Sequence, residues 1–350
     1  MQNMNGQNNQ PMPAVGWEKI DNTPIPDPSL KYRKELKSTA NKAALGMLFF
    51  FGFELMYQFF MSILVSVFSL MGESVYNDFA DFVTNPNFNL IFNSFYQLFF
   101  MTLPFIFSAL ISRVKLTDML NYRKPIKGTL FPIAFMGLGG AVLCNLANSI
   151  IMTFLSAFGI TPSGGNIEME LSFGSFLLNI LCVAVVPALF EEFAFRGVMM
   201  GILSKKFSVQ TSIILSAAAF GLIHGNFVQI PFAFLMGLIL GYSYAITKSL
   251  WVPMLIHFLN NAYSVVMDHL ISGMSATMGN IVFYASFIAL LLIGLIGFAM
   301  AAKRKPEIFS FPREDQVISN HKMLKIGFSA PIMIVITVLY LLEALEVQLL

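Results

Sequence analysis

The chain has 350 residues, 56% of them hydrophobic and 11% charged, with a mean hydropathy of +0.71 and a net charge of +2. Soluble domains carry about 25% charged residues, so this composition excludes an ordinary water-exposed globular domain and points to a polytopic membrane protein. A net charge this small gives no basic footprint for nucleic acid. The two cysteines, Cys144 and Cys182, lie in apolar stretches and read as small buried hydrophobes rather than a disulfide or metal pair.

In chain order, residues 1–42 are polar, rich in Pro and Asn, and end basic. They read as a loosely held cytoplasmic tail and not as a signal peptide. A helix needs about 20 mostly apolar residues to cross the hydrocarbon core. Nine stretches meet that need, at approximately 43–71, 88–112, 129–158, 173–200, 209–228, 230–247, 250–270, 278–301 and 326–345. Only HGNFVQIP separates the two around 209–247, which allows a re-entrant or tilted arrangement there. The expected fold class is an all-α polytopic membrane protein, a bundle of about eight or nine transmembrane helices, since a β-barrel would show alternating segments instead. It divides into the tail at 1–42, N-terminal transmembrane helices at 43–171, a core at 172–272 and C-terminal transmembrane helices at 273–350.

Loop charges give an orientation. Lys31, Arg33, Lys34, Lys37 and Lys42 precede the first span, and Arg113, Lys115, Arg123, Lys124 and Lys127 follow the second. Lys205, Lys206, Lys248, Lys303, Arg304, Lys305, Arg313, Lys322 and Lys325 fall in later alternate loops. The intervening loops hold Glu73, Asp78, Asp81, Glu168, Glu170 and Asp268, with no Lys or Arg. Nine spans with a cytoplasmic N-terminus, in a cell membrane, satisfy this pattern.

Inside the core, a few polar side chains interrupt apolar helices. Glu191, Glu192 and Arg196 sit in VAVVPALFEEFAFRGVMM, His224 closes SAAAFGLIH, and His257 with Asn261 lies in MLIHFLNNAY. A charged group at mid-membrane costs at least about 2.5 kcal/mol on the mildest scale, so such residues call for a function. Arg196 lies four residues after Glu192, the spacing of a helical ion pair, while Glu191 points about 100° away. This predicts Glu192–Arg196 as structural support and leaves Glu191 as general base. The bland alternative is a buried ion-pair cluster that only locks helix packing.

Phe220 and His224 share a helix face, as do His257 and Asn261. His224 would orient the water. His257 and Asn261 would stabilise an oxyanion, Asn261 with the further option of holding the histidine tautomer. Asn260 points elsewhere on a regular helix and is the weaker candidate; His269 and His321 read as solvated loop residues. A second route makes Glu191, His224 and His257 the ligands of a zinc ion. HExxH is absent, so no metal is favoured, and neither GxSxG nor a Ser/Cys–His pair offers a nucleophile.

At these residues the chain resembles the CPBP family (CAAX protease and bacteriocin-processing, also called Abi) of intramembrane endopeptidases, related to the type II CAAX prenyl endopeptidase. The family pattern EExxxR, FxxxH and HxxxN reads here as Glu191-Glu192 to Arg196, Phe220 to His224 and His257 to Asn261, in order within 172–272. The resemblance implies a catalytic core in a helical bundle, with Glu191 activating water. The implied partners are a membrane-embedded or lipidated peptide and the bilayer itself. It also implies CAAX-type protein maturation or, as an alternative, a non-catalytic bacteriocin immunity or membrane scaffold role. A proton-coupled transporter is disfavoured because no inverted repeat is visible.

Overall fold

The computed structural model describes residues 28–119, 122, 124–125, 128–159, 172–304, 306–309 and 317–349. Among them the regular structure is helical: α1 (Pro28–Leu70), α2 (Glu73–Thr84), α3 (Pro86–Ile111), α4 (Leu130–Ser156), α5 (Phe173–Leu203), α6 (Val209–Leu222), α7 (Gln229–Thr247), α8 (Trp251–Ile271), α9 (Ala276–Arg304), α10 (Asn320–Phe328) and α11 (Pro331–Leu349). The fold is an all-α polytopic membrane architecture.

Among the described residues, six helices combine the length and apolarity needed to cross a bilayer: α1, α3, α4, α5, α7 and α9. The pair α10 and α11, bent by 67° to each other, makes a seventh if counted as one span. The nine stretches seen in sequence thus reduce to six or seven by these measures. The apolar run at 209–228 yields a helix of 14 residues, about 21 Å long at 1.5 Å per residue and short of the roughly 30 Å core. At 21 residues α8 is long enough, but His257, Asn260, Asn261 and Asp268 make it too polar to qualify.

The start of α1 corrects the expected tail. Residues 28–42 are helical, and Leu36 and Ala40 are fully buried at the head of a face that continues through Ala43, Ala44, Met47 and Phe50. Lys206 in the α5–α6 turn pairs with Glu35 at 2.7 Å, and its carbonyl accepts from the Tyr32 hydroxyl at 3.1 Å. The rest of the tail, 1–27, and the loop charges Arg123, Lys127, Glu168, Glu170, Lys305 and Arg313 lie outside the described residues.

Small residues set the closest helix approaches, as expected where lipid removes most of the hydrophobic drive between helices. The α4–α9 contact rests on Gly139, where an added Cβ would stand 2.6 Å from the Cα of Gly294. Between α6 and α7, a Cβ on Gly237 would stand 2.9 Å from the Cα of Ala217. Helix α5 packs on α8, α3 and α1, and α4 packs on α7, α8 and α9. The polar residues of the core converge where α5, α6, α7 and α8 meet.

Candidate active site

Helix α5 is irregular where it carries its acidic pair. Two wide, π-type segments, Ile180–Val185 and Phe193–Met199, flank the α-helical stretch Val186–Glu192. Such turns are frequent at functional sites, where they re-aim side chains that a regular helix would fix. Pro187 contributes, since it has no N–H to offer the Val183 carbonyl four residues back. Asn261 on α8 donates its Nδ2 to that carbonyl at 3.0 Å.

Glu192 is completely buried and receives two donors on one oxygen. Arg196 Nη1 lies 2.9 Å and His257 Nδ1 2.8 Å from its Oε1. Arg196, also fully buried, donates Nη2 to the Gly237 carbonyl on α7 at 3.2 Å, and its guanidinium stacks 4.3 Å from the Phe220 ring centre. This cation–π contact is worth about 2 kcal/mol in a desolvated setting. Phe220 stands edge-on to both imidazoles, 5.2 Å from His224 and 5.9 Å from His257. One aromatic ring therefore spaces the guanidinium and both histidines. The Ser216 hydroxyl donates to the Phe195 carbonyl at 3.1 Å and ties α6 to α5.

Glu191 faces a different environment. It lines a cavity of about 600 Å³ that is also lined by His224, His257, Asn260, Asn261, Phe220 and the carboxamides of Asn93, Gln97, Asn145 and Gln229. Its Oε2 stands 3.8 Å from His257 Nε2, outside hydrogen-bond range but close enough for both to contact one small molecule. His224, just beyond the end of α6, gives its Nδ1 to the Phe220 carbonyl at 2.8 Å. A carbonyl only accepts, so Nδ1 carries the proton and Nε2 is the free position of the neutral ring.

All four expected catalytic residues, Glu191, His224, His257 and Asn261, line this cavity, while Glu192 and Arg196 stand behind its wall. Two details differ from the sequence reading. Glu192, and not Asn261, holds the His257 tautomer. Asn260 does not point elsewhere: it lines the cavity and donates to Asn261 Oδ1 at 3.1 Å. Both cysteines are buried and free, and Cys182 forms part of the cavity wall. Among the described residues no three His, Cys, Asp or Glu side chains are grouped to hold a metal ion. The alternative zinc set of Glu191, His224 and His257 is thus not grouped as metal ligands in this geometry, where Glu191 and His257 stand 3.8 Å apart.

Sequence reasoning missed Gly237, whose contribution is a main-chain carbonyl without any sequence signature. It also missed Asn93, Gln97 and Asn145. Their signal was present, because a carboxamide inside an apolar span is itself costly.

The geometry defines a class: a polytopic helical protein whose buried Glu–Arg–His cluster supports a polar cavity holding one further carboxylate. Residues 173–263 match the family described as type II CAAX prenyl endopeptidase Rce1-like, and that match spans all three motifs. Among curated proteins, the chain is 29% identical over 158 residues to the membrane-embedded CAAX protease MroQ of Staphylococcus aureus (strain USA300). That alignment covers 43% of this chain and 62% of MroQ. It is 30% identical over 91 residues to YdiL of Bacillus subtilis (strain 168), whose description assigns it provisionally to the membrane peptidases. There the coverage is 26% of this chain and 37% of YdiL. The chain thus aligns with less than two thirds of either relative. No solved structure matches it.

Proposed function

We propose that this chain is an intramembrane endopeptidase that hydrolyses a peptide bond in a membrane-embedded or lipidated substrate through water activated by Glu191. The observation that carries this reading is the convergence of Glu191, His224, His257 and Asn261 on one cavity, with the Glu192–Arg196 pair closed off behind it. Glu191 takes a proton from water, the resulting hydroxide attacks the scissile carbonyl carbon, and the proton passes on to the departing nitrogen as the C–N bond breaks. His224, held at Nδ1 by the Phe220 carbonyl, accepts a hydrogen bond from the water at Nε2 and orients it. His257 is fixed at Nδ1 by Glu192, and its imidazolium form offers Nε2–H to the oxyanion. Asn261 has given one amide hydrogen to Val183 and keeps the other for the same oxyanion.

We assign no metal to this mechanism, in which Glu191 acts on the water directly. Metal analysis of active protein tests this. Stoichiometric zinc whose chelation stops cleavage would replace it with metal-activated water. An apolar pocket of about 510 Å³, lined by Leu189, Phe190 and Phe193 of α5 with Trp251 and Met254 of α8, gives a lipid chain on the substrate a place beside the catalytic helix. The loop charges support a cytoplasmic N-terminus in a cell membrane.

The deciding experiment compares membrane peptides from cells carrying the wild-type chain with those carrying Glu191→Gln. Cleavage products present only with the wild type are expected. Identical peptide profiles would favour the non-catalytic immunity or scaffold role.

A further inference from the structure

The catalytic residues account for only part of the cavity lining. Four carboxamides remain: Asn93 and Gln97 on α3, Asn145 on α4 and Gln229 at the start of α7. They come from three helices, and Asn93, Gln97 and Asn145 lie outside the segment 173–263 that matches the peptidase family. Each sits in a helix apolar enough to cross a membrane. An amide group without a partner in hydrocarbon is costly, so the amide groups left unpaired at this cavity favour an occupant that can satisfy them.

Their existing bonds show which groups remain on offer. Gln97 opens a π-type turn, Gln97–Met101, and its Oε1 is buried with no hydrogen-bond partner among the described residues. It is an acceptor in need of an N–H. Asn145 gives its Nδ2 to the Ala141 carbonyl one turn earlier, at 3.0 Å, which leaves its oxygen as the group to accept. Gln229 is set the other way. Its Oε1 accepts from Asn226 at 3.2 Å, and Asn226 also donates to the His224 carbonyl at 2.9 Å. Gln229 is thereby anchored to the turn that carries a catalytic histidine, with its N–H₂ as the group to give. The lining offers acceptors from two helices and a donor from a third.

A polypeptide segment inside a membrane hides its N–H and C=O groups within its own helix. Hydrolysis requires the scissile stretch to unwind, and each unwound residue then presents one donor and one acceptor. Carboxamides are the neutral side chains that match both. Resting on the peptidase reading above, we infer that Gln97, Asn145 and Gln229 form a main-chain clamp that holds an unwound, extended stretch of a membrane-inserted polypeptide beside Glu191. Gln97 is a positioning residue of this clamp, and recognition runs through the peptide backbone more than through side chains.

The test uses the full-length Glu191→Gln protein in lipid nanodiscs, which binds without cleaving. The probe is an apolar peptide of about 24 residues, long enough to span, with a central Gly-Ser-Gly stretch that unwinds it. Companion peptides replace each central N–H in turn by an ester oxygen. At least one ester analogue is expected to bind about fivefold more weakly than the amide probe, the size of one net hydrogen bond. Adding Gln97→Leu is expected to abolish that preference, while Gln97→Glu, which keeps an acceptor oxygen, retains it. Asn145→Leu, on a separate helix, serves as a second variant should Gln97→Leu lower the thermal midpoint. Equal affinity for amide and ester probes, no binding of the amide probe, or a preference that survives both Leu variants overturns the clamp. Cleavage in cells reports separately on Glu191: if it persists while the preference is absent, only the clamp fails. If it is absent while the preference holds, only the protease reading fails.

Discussion

Glu191 and Glu192 are neighbours in sequence and both are buried, yet their surroundings differ in kind. Glu192 has no exposed surface, and one of its oxygens holds both the Arg196 guanidinium and the His257 imidazole. Glu191 opens onto the cavity, with His257 Nε2 at 3.8 Å. A buried charge persists when it is paired and hydrogen-bonded, so Glu192 is built into the fold. Glu191 keeps capacity to spare for a reacting molecule. The lesson is that two neighbouring residues of one helix can present one carboxylate to supporting partners and the other to a cavity, and that the difference lies in what each touches.

A third environment sharpens the contrast. Glu54 on α1 and Glu343 on α11, like Glu192 at its Oε2, each have one buried carboxylate oxygen without a hydrogen-bond partner among the described residues. The Glu343 carboxylate also packs against Gly225, the residue after His224, where an added Cβ would stand 3.0 Å from its Cδ. The turn that presents His224 is therefore braced from outside the three-motif core.

The largest expected effect comes from removing the working carboxylate. Glu191→Gln should lower the cleavage rate by about 10³-fold, within the usual range for a general base, while leaving the thermal midpoint unchanged. Retained activity would dissolve the distinction between the two glutamates. Next in size is the supporting pair. Arg196→Leu leaves Glu192 buried without its cation and should cost about 3–5 kcal/mol of stability, read from thermal or denaturant unfolding in detergent. Combining it with Glu192→Leu should restore much of that stability but not activity, because His257 loses the group that fixes its Nδ1. Recovery of both would reduce Glu192 to a packing element. The smallest effect belongs to the turn. Gly225 has a φ of +59°, so Gly225→Ala should cost about 1–2 kcal/mol through backbone strain and lower activity by displacing His224. An unchanged thermal midpoint and rate would show that the brace does not position this histidine.

The three motifs were readable from sequence because charged residues stand out in apolar helices, and the i, i+4 spacing of Glu192 and Arg196 already placed them on one face. The length of α6 was not readable. Its apolar run reads to 228 in the sequence, while the helix ends at Leu222, ahead of the turn at Gly225. The wide turns of α5 were hidden too, because Pro187 marks a disturbance without specifying its form. The second partner of Arg196 is a backbone carbonyl at Gly237, where side-chain pattern carries no information. The carboxamides of α3 and α4 each stand out in an apolar span, but only the packing of α3, α4 and α7 reveals that they share a cavity with Gln229.

The role of Glu191 is tested most directly by single-turnover cleavage in ¹⁸O-labelled water, with excess enzyme over a substrate found by the membrane-peptide comparison. If Glu191 delivers water to the scissile carbonyl, the new carboxyl group of the product carries one ¹⁸O from the first turnover. A first-turnover product carrying only ¹⁶O, with the label found in the Glu191 side chain, would show that the carboxylate attacks the peptide itself and would contradict the account.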